Sequence, residues 1–184
     1  MSGPARTTNV VLVHGAWADG SSWNDAVIGA DTNETVRSLV FIAASAPDEG
    51  ETVAEVFYRD KPNPQAPQLI PDAHGLIWMP REGFSTAFAQ HASPERAALF
   101  AATQRPIAVA CIQERAPRPA WKVKPSWYLL AEEDRMINPA TQLFMARRMG
   151  ARIRSDKVDH TPLATAPGLV IEMIRDAVAS LPGT

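Results

Sequence analysis

A chain of 184 residues, 46% of them hydrophobic, has the size and apolar content of one globular domain with a real core. Its net charge of −2, with both signs interspersed, provides no basic field for nucleic acid or for an anionic membrane surface. No apolar run approaches the roughly 20 residues a bilayer requires, and the first strand-like run is too short for a signal peptide, so a cytoplasmic protein is expected. A single cysteine excludes an internal disulfide, and four histidines without ligand spacing argue against a metal centre, so no cofactor is expected.

In chain order, Val10 to Val13 reads as a strand buried on both faces, stopping abruptly at His14-Gly15. Chemistry in parallel sheets collects where strands end, so the loop from His14 to Trp23 is a site candidate. It is not a phosphate loop, because Ser21 stands where the lysine of G-x-x-x-x-G-K-[ST] would be. The run Ser22-Trp-Asn-Asp25 has capping-box form, which predicts a short helix ending near Gly29 to Asn33. Val36 to Ala44 then reads as a second buried strand, completing a βαβ unit.

From about Glu51 to Lys124 the pattern changes. Pro62, Pro64, Pro67 and Pro71 predict an extended connection, followed by helices around Arg81 to Gln90, Pro94 to Thr103 and Pro106 to Gln113, the second capped by Ser93. The segment is expected to be a helical cap inserted over a sheet edge. Cys111, in an Ala/Ile/Val run, is expected to be an inert core thiol. Arg115, Arg118, Lys122 and Lys124 are expected to be a solvated surface. A strand from Ser126, an acidic loop with Asp134 and a helix from Pro139 to Gly150 follow. The scheme repeats with a strand from Arg152, a loop with His160 and a final helix whose Leu169, Val170, Met173, Ile174, Val178 and Leu181 keep a 3.6-residue period.

From the residues alone, Asp134 is either a site acid or a solvated carboxylate like Glu132 and Glu133, and His160 is either a site base or a loop histidine satisfied by Asp159. The ordered set "HGAWADGSSW", "VRSLVFIAASAPDEGE", "PAWKVKPSWYLLAEEDRMI" and "VDHTPLATAPGLV" resembles the α/β-hydrolase superfamily, closest to a small esterase-like group, over nearly all the chain from Asn9 onward. That resemblance implies Asp134 as triad acid, His160 as triad base, and backbone N–H donors at Ala16, with Trp17, as an oxyanion site for ester or acyl substrates.

One departure from the pattern matters more than the match. The resemblance implies a G-x-S-x-G elbow between the first loop and "VRSLVFIAA", and that pattern occurs nowhere in this sequence. Gly83-Phe-Ser-Thr-Ala87 imitates it without a strand before it, and Ser21, Ser22 and Ser45 have no elbow, so no nucleophile is assigned. About two strands with their helices are missing, at about 30 residues per βαβ unit.

The expected fold is therefore a truncated α/β-hydrolase fold, a single domain over residues 1–184 with a short, mostly parallel sheet, flanking helices and a helical cap at about 51–124. Strands beginning near Val10, Val36, Ser126 and Arg152 should lie in that spatial order, leaving Val10 to Val13 as an edge open to homodimerisation or aggregation. The expected function is ester or acyl hydrolysis, impaired or lost without the serine. The alternative is a non-catalytic pseudoenzyme that binds a small apolar ester-like molecule, or an interaction module.

Overall fold

A computed structural model describes Trp17 and residues 34–181. The expected strand at Val10 to Val13, the helix after Ser22 and Ala16 lie outside the described residues.

The elements in chain order are β1 (Leu39–Ile42), α1 (Val53–Phe57), β2 (Leu76–Ile77), α2 (Arg81–Gly83), which passes directly into a π-helical turn at Phe84–Phe88, α3 (Pro94–Thr103), β3 (Ile107–Ala108), α4 (Val109–Gln113), a 3₁₀ turn at Ala120–Lys122, β4 (Ser126–Ala131), α5 (Pro139–Arg148), β5 (Arg152–Asp156), α6 (Pro162–Thr165) and α7 (Pro167–Ala179). Strands β1, β4 and β5 form a parallel sheet in that order, with Leu39 opposite Ser126 and Trp127 opposite Arg152. These are three of the four expected strands, in the expected spatial sequence.

β4 is central and buried along its whole length, which explains its unbroken apolar sequence, Trp-Tyr-Leu-Leu-Ala after Ser126. Its side chains alternate between two helical layers. Tyr128 and Leu130 pack with Met145 and Ala146 of α5, while Trp127 and Leu129 pack with Val170, Met173 and Ala177 of α7. The final helix therefore buries the face its periodicity predicted.

β5 has one neighbour among the described residues and is largely exposed. Arg154 pairs with Asp156 at 2.8 Å and with Glu172 of α7 at 2.9 Å. Charges of this kind discourage a second chain from adding to an edge.

Segment 51–124 departs from expectation in three places. The helix predicted over Arg81 to Gln90 is one short turn followed by the π-helical turn, and the chain leaves helical geometry at Ala89. The helix predicted from Pro106 starts only at Val109, because Ile107–Ala108 pairs antiparallel with Leu76–Ile77. The apolar residues there serve a two-stranded pairing too short to show alternation. Cys111 is exposed rather than buried, because α4 is a surface turn with no buried residue. Elsewhere the local signals hold: Ser93 caps α3 through the Arg96 N–H, and Thr52 and Glu55 form a reciprocal capping box at α1. Of the basic stretch, Lys122 pairs with Asp48 at 2.6 Å and Arg115 donates to the Gly50 carbonyl at 2.6 Å, so these two bind the segment that follows β1.

Candidate active site

The loops after β4 and β5 run side by side because their pairing continues beyond the strands. Glu132 N–H donates to the Asp156 carbonyl at 2.9 Å and Glu133 N–H to that of Val158 at 3.1 Å. This register carries Asp134 and His160 to the same carboxyl edge of the sheet, where His160 Nδ1 lies 2.8 Å from Asp134 Oδ2.

Asp134 is buried and fully engaged. Its Oδ1 accepts the N–H groups of Met136 at 2.7 Å and Ile137 at 3.0 Å, the self-bonding turn an aspartate makes at the start of a loop. Its Oδ2 takes His160 and the Gln142 side-chain amide, the latter at 2.7 Å. Glu132 and Glu133 are exposed, so Asp134 is set apart from its two acidic neighbours by burial as well as by partners.

Burial of the imidazole disfavours its charged form, but the charge of Asp134, its hydrogen bond and the more distant Asp159 outweigh that and hold the His160 pKa above the ordinary histidine value. Asp159 does not satisfy His160 by hydrogen bonding. It accepts the His91 N–H at 3.0 Å, the Thr161 N–H at 3.1 Å and the Thr165 hydroxyl at 2.6 Å, tying segment 51–124 to the loop after β5. Among the described residues, the recorded partner of His160 is on Nδ1.

One aromatic side chain lies against the imidazole, with a second behind it. The Phe88 ring lies 5.3 Å from that of His160, and Trp17 meets Phe88 edge-on at 6.2 Å. Trp17 has a left-handed backbone (φ 62°), its indole N–H donates to the Ile77 carbonyl at 3.2 Å, and its own carbonyl accepts the Arg105 N–H at 3.3 Å. Further bonds fasten the π-helical region to the two site loops: Thr161 Oγ1 to the Phe88 carbonyl at 3.2 Å, Arg135 to the Thr86 carbonyl at 2.7 Å and Gln90 to the Glu133 carbonyl at 2.7 Å. His91 and Glu133 approach to 2.9 Å.

Ser85, the elbow imitation, is exposed on the π-helical turn and bonds locally to the Glu82 carbonyl at 3.1 Å. Gly83 is closely packed there: a Cβ would meet Met79 Sδ at 3.0 Å and Pro67 Cβ at 3.2 Å, so one of them would have to shift. Ser21 and Ser22 lie outside the described residues. Ser45 follows β1 between two pinned residues, with the Tyr128 hydroxyl donating to the Ala44 carbonyl and the Ala46 N–H reaching Met145 Sδ. Gln142 is a site residue that the sequence reading missed. Its signal was an amide on the helix face that also carries Met145 and Ala146.

A cleft of about 360 Å³ lies at the opposite edge of the sheet, between Arg37, Lys124, Trp127 and Arg152 and the end of α7. Cations there complement a helix C-terminus. The cleft is separate from the Asp134–His160 pair. Among the described residues there is no cluster of side chains able to hold a metal ion, and no helix is long and apolar enough to cross a membrane.

A parallel sheet flanked by helices, with an acid after one strand and a histidine after the next, is the arrangement of an α/β hydrolase. The model of the alpha/beta hydrolase family matches residues 25–173, and the chain belongs to that family. No curated protein matches it in sequence. Among solved structures it is similar to an extracellular alpha/beta-hydrolase from a Paenibacillus species (21% identity, TM-score 0.63, 82% of this chain and 65% of that one). It is also similar to a methylesterase from Arabidopsis (16%, TM-score 0.63, 84% and 64%) and to a pyrethroid hydrolase (18%, TM-score 0.66, 84% and 66%). The chain thus spans slightly less than two thirds of the length of these esterase-type structures.

Proposed function

We propose that this chain carries the acid–base half of an ester- or acyl-hydrolysing site, with Asp134 as orienting acid and His160 as general base, and that by itself it is catalytically impaired. The observation that supports this is the 2.8 Å bond between His160 Nδ1 and Asp134 Oδ2 at the carboxyl edge of the sheet, in a sequence with no G-x-S-x-G elbow. In a serine hydrolase the acid holds the imidazole in one tautomer and stabilises its charged form, while the other ring nitrogen takes the serine proton. His160 is arranged for that exchange, and the residue that would supply the proton is not in this sequence.

The assigned donor at Ala16, next to Trp17, would be half of an oxyanion site. The N–H after the elbow serine would be the other half and is missing with it. Segment 51–124 acts in this reading as a cap, with Phe88 against the imidazole and Trp17 against Phe88. One structural neighbour is a methylesterase and another a pyrethroid hydrolase, which supports an ester or acyl substrate class for this site. The same pair of rings favours, as a second reading, a non-catalytic protein that holds a small apolar ester-like molecule beside His160.

A fluorophosphonate probe with intact-mass readout tests the proposal. No adduct is expected. A stoichiometric adduct on Ser45, Ser21, Ser22 or Ser85 would overturn it and name the substitute nucleophile.

A further inference from the structure

Gln142 of α5 is wholly buried, and its side-chain amide has a partner at each position. Its Oε1 accepts the Ala131 N–H at 3.1 Å, at the end of β4. Its Nε2 donates to the Ile137 carbonyl at 3.0 Å and to Asp134 Oδ2 at 2.7 Å. A backbone donor on one side and a backbone carbonyl on the other fix which end of the amide is oxygen, because rotating it by half a turn would set N–H against N–H and oxygen against oxygen. Asp134 Oδ2 therefore faces an N–H from α5.

A consequence for His160 follows. Three of the four partners of the Asp134 carboxyl are N–H donors by constitution: Met136, Ile137 and Gln142. The carboxyl acts towards them as an acceptor, so the fourth contact is satisfied when His160 Nδ1 carries the hydrogen. The Met136 and Ile137 N–H groups hold Oδ1 from the carboxyl's own turn, while Oδ2 is held between α5 and the imidazole.

We infer that Gln142 is a positioning residue, which fixes Asp134 Oδ2 toward His160 and so selects the Nδ1–H tautomer, leaving Nε2 as the basic nitrogen. The inference deepens the proposed acid–base role and rests on the Asp134–His160 pairing. Ala131, Ile137 and Asp134 all meet at this one amide, so the end of β4, the turn after it and α5 are set against one another by the same group that orients the carboxylate.

The test is ¹⁵N and ¹H NMR of the full chain, reading the His160 ring nitrogens, the downfield Nδ1–H resonance and the His160 titration. In Gln142→Met, which keeps side-chain length, the Nδ1–H resonance is expected to be lost and the His160 pKa to fall toward the ordinary histidine value. A folded Gln142→Met protein with both signals unchanged would overturn the inference. If that variant does not fold, the wild type decides: the Gln142 side-chain amide resonances should shift with the same midpoint as His160, and amide resonances indifferent to that titration would overturn it. Asp134→Asn separates the two levels. If His160 ignores Asp134→Asn, the pairing itself fails; if His160 responds to that variant and not to Gln142→Met, only the role of Gln142 fails.

Discussion

The Phe88 ring lies against the His160 imidazole, with centroids 5.3 Å apart and planes tilted by 56°. It is one of the groups that keep water from a histidine held above its ordinary pKa by Asp134 against the opposing effect of burial. Phe88→Ala is therefore expected to raise the His160 pKa further, because it relieves the burial that disfavours the charged ring. The same change should cost about 3–5 kcal/mol of stability by emptying a core position. An NMR titration of the His160 Cε1–H checks the first effect, and urea unfolding checks the second. A fall in pKa would mean that the ring does something other than exclude water.

Asp134→Ala leaves the Met136 and Ile137 N–H groups, the Gln142 amide and the His160 ring without their shared acceptor. Breaking a buried charged pair in this way should cost about 3–5 kcal/mol, readable from the urea midpoint at constant m-value.

The sign of the pH dependence is set by His160. Its folded pKa is raised, so the stabilisation it contributes is fully present below the unfolded histidine value and is lost as pH rises through the folded value. Wild-type stability should carry that increment below the unfolded histidine value and lose it as pH rises above the folded one. Asp134→Asn should flatten the difference, because the charge that raises the pKa is gone. An equal pH slope in both proteins would show that the imidazole does not draw its shift from Asp134.

Asp159→Asn addresses the other buried carboxylate among the described residues. Its acceptor bonds go to His91, Thr161 and Thr165, so hydrogen exchange at His91 N–H and across segment 89–92 should accelerate markedly. The His160 titration should move less than in Asp134→Asn, because Asp159 acts on the ring only through its charge. Equal shifts in the two variants would contradict the assignment of Asp134 as the partner.

Cys111 should react fully with a thiol reagent in the native protein, since it is exposed on α4. Reaction that waits for denaturant would place α4 elsewhere.

Elements buried on two faces were legible in the sequence, and elements governed by distant contacts were not. β4 announces itself because both of its faces meet helices, α5 because Pro139 marks its first turn, and α7 because it keeps an apolar stripe. Asp134 and His160 could be placed at one edge because both follow parallel strands, but choosing His160's partner needed the register that sets Glu133 beside Val158. The β2–β3 pair was unreadable: two residues per strand carry no period, and their pairing joins Leu76 to Ala108, far away in sequence. Gln142 was missed because a glutamine in a helix is ordinarily a surface residue, and only the convergence of Ala131, Ile137 and Asp134 on it shows otherwise.

Trp17 adds a fastening on another side to segment 51–124, which His91, Phe88, Thr86 and Gln90 already tie to the loops after β4 and β5. The chain enters and leaves that segment near β1 and β4, and this further fastening comes from a residue 60 positions before Ile77, through the indole N–H and the edge of Phe88. Any wide movement of that segment away from Trp17 must withdraw a buried indole from among Ile77, Met79, Phe84 and Phe88. The indole and the imidazole both meet one ring, so a substitution at position 17 should be felt at His160 through Phe88 without touching it.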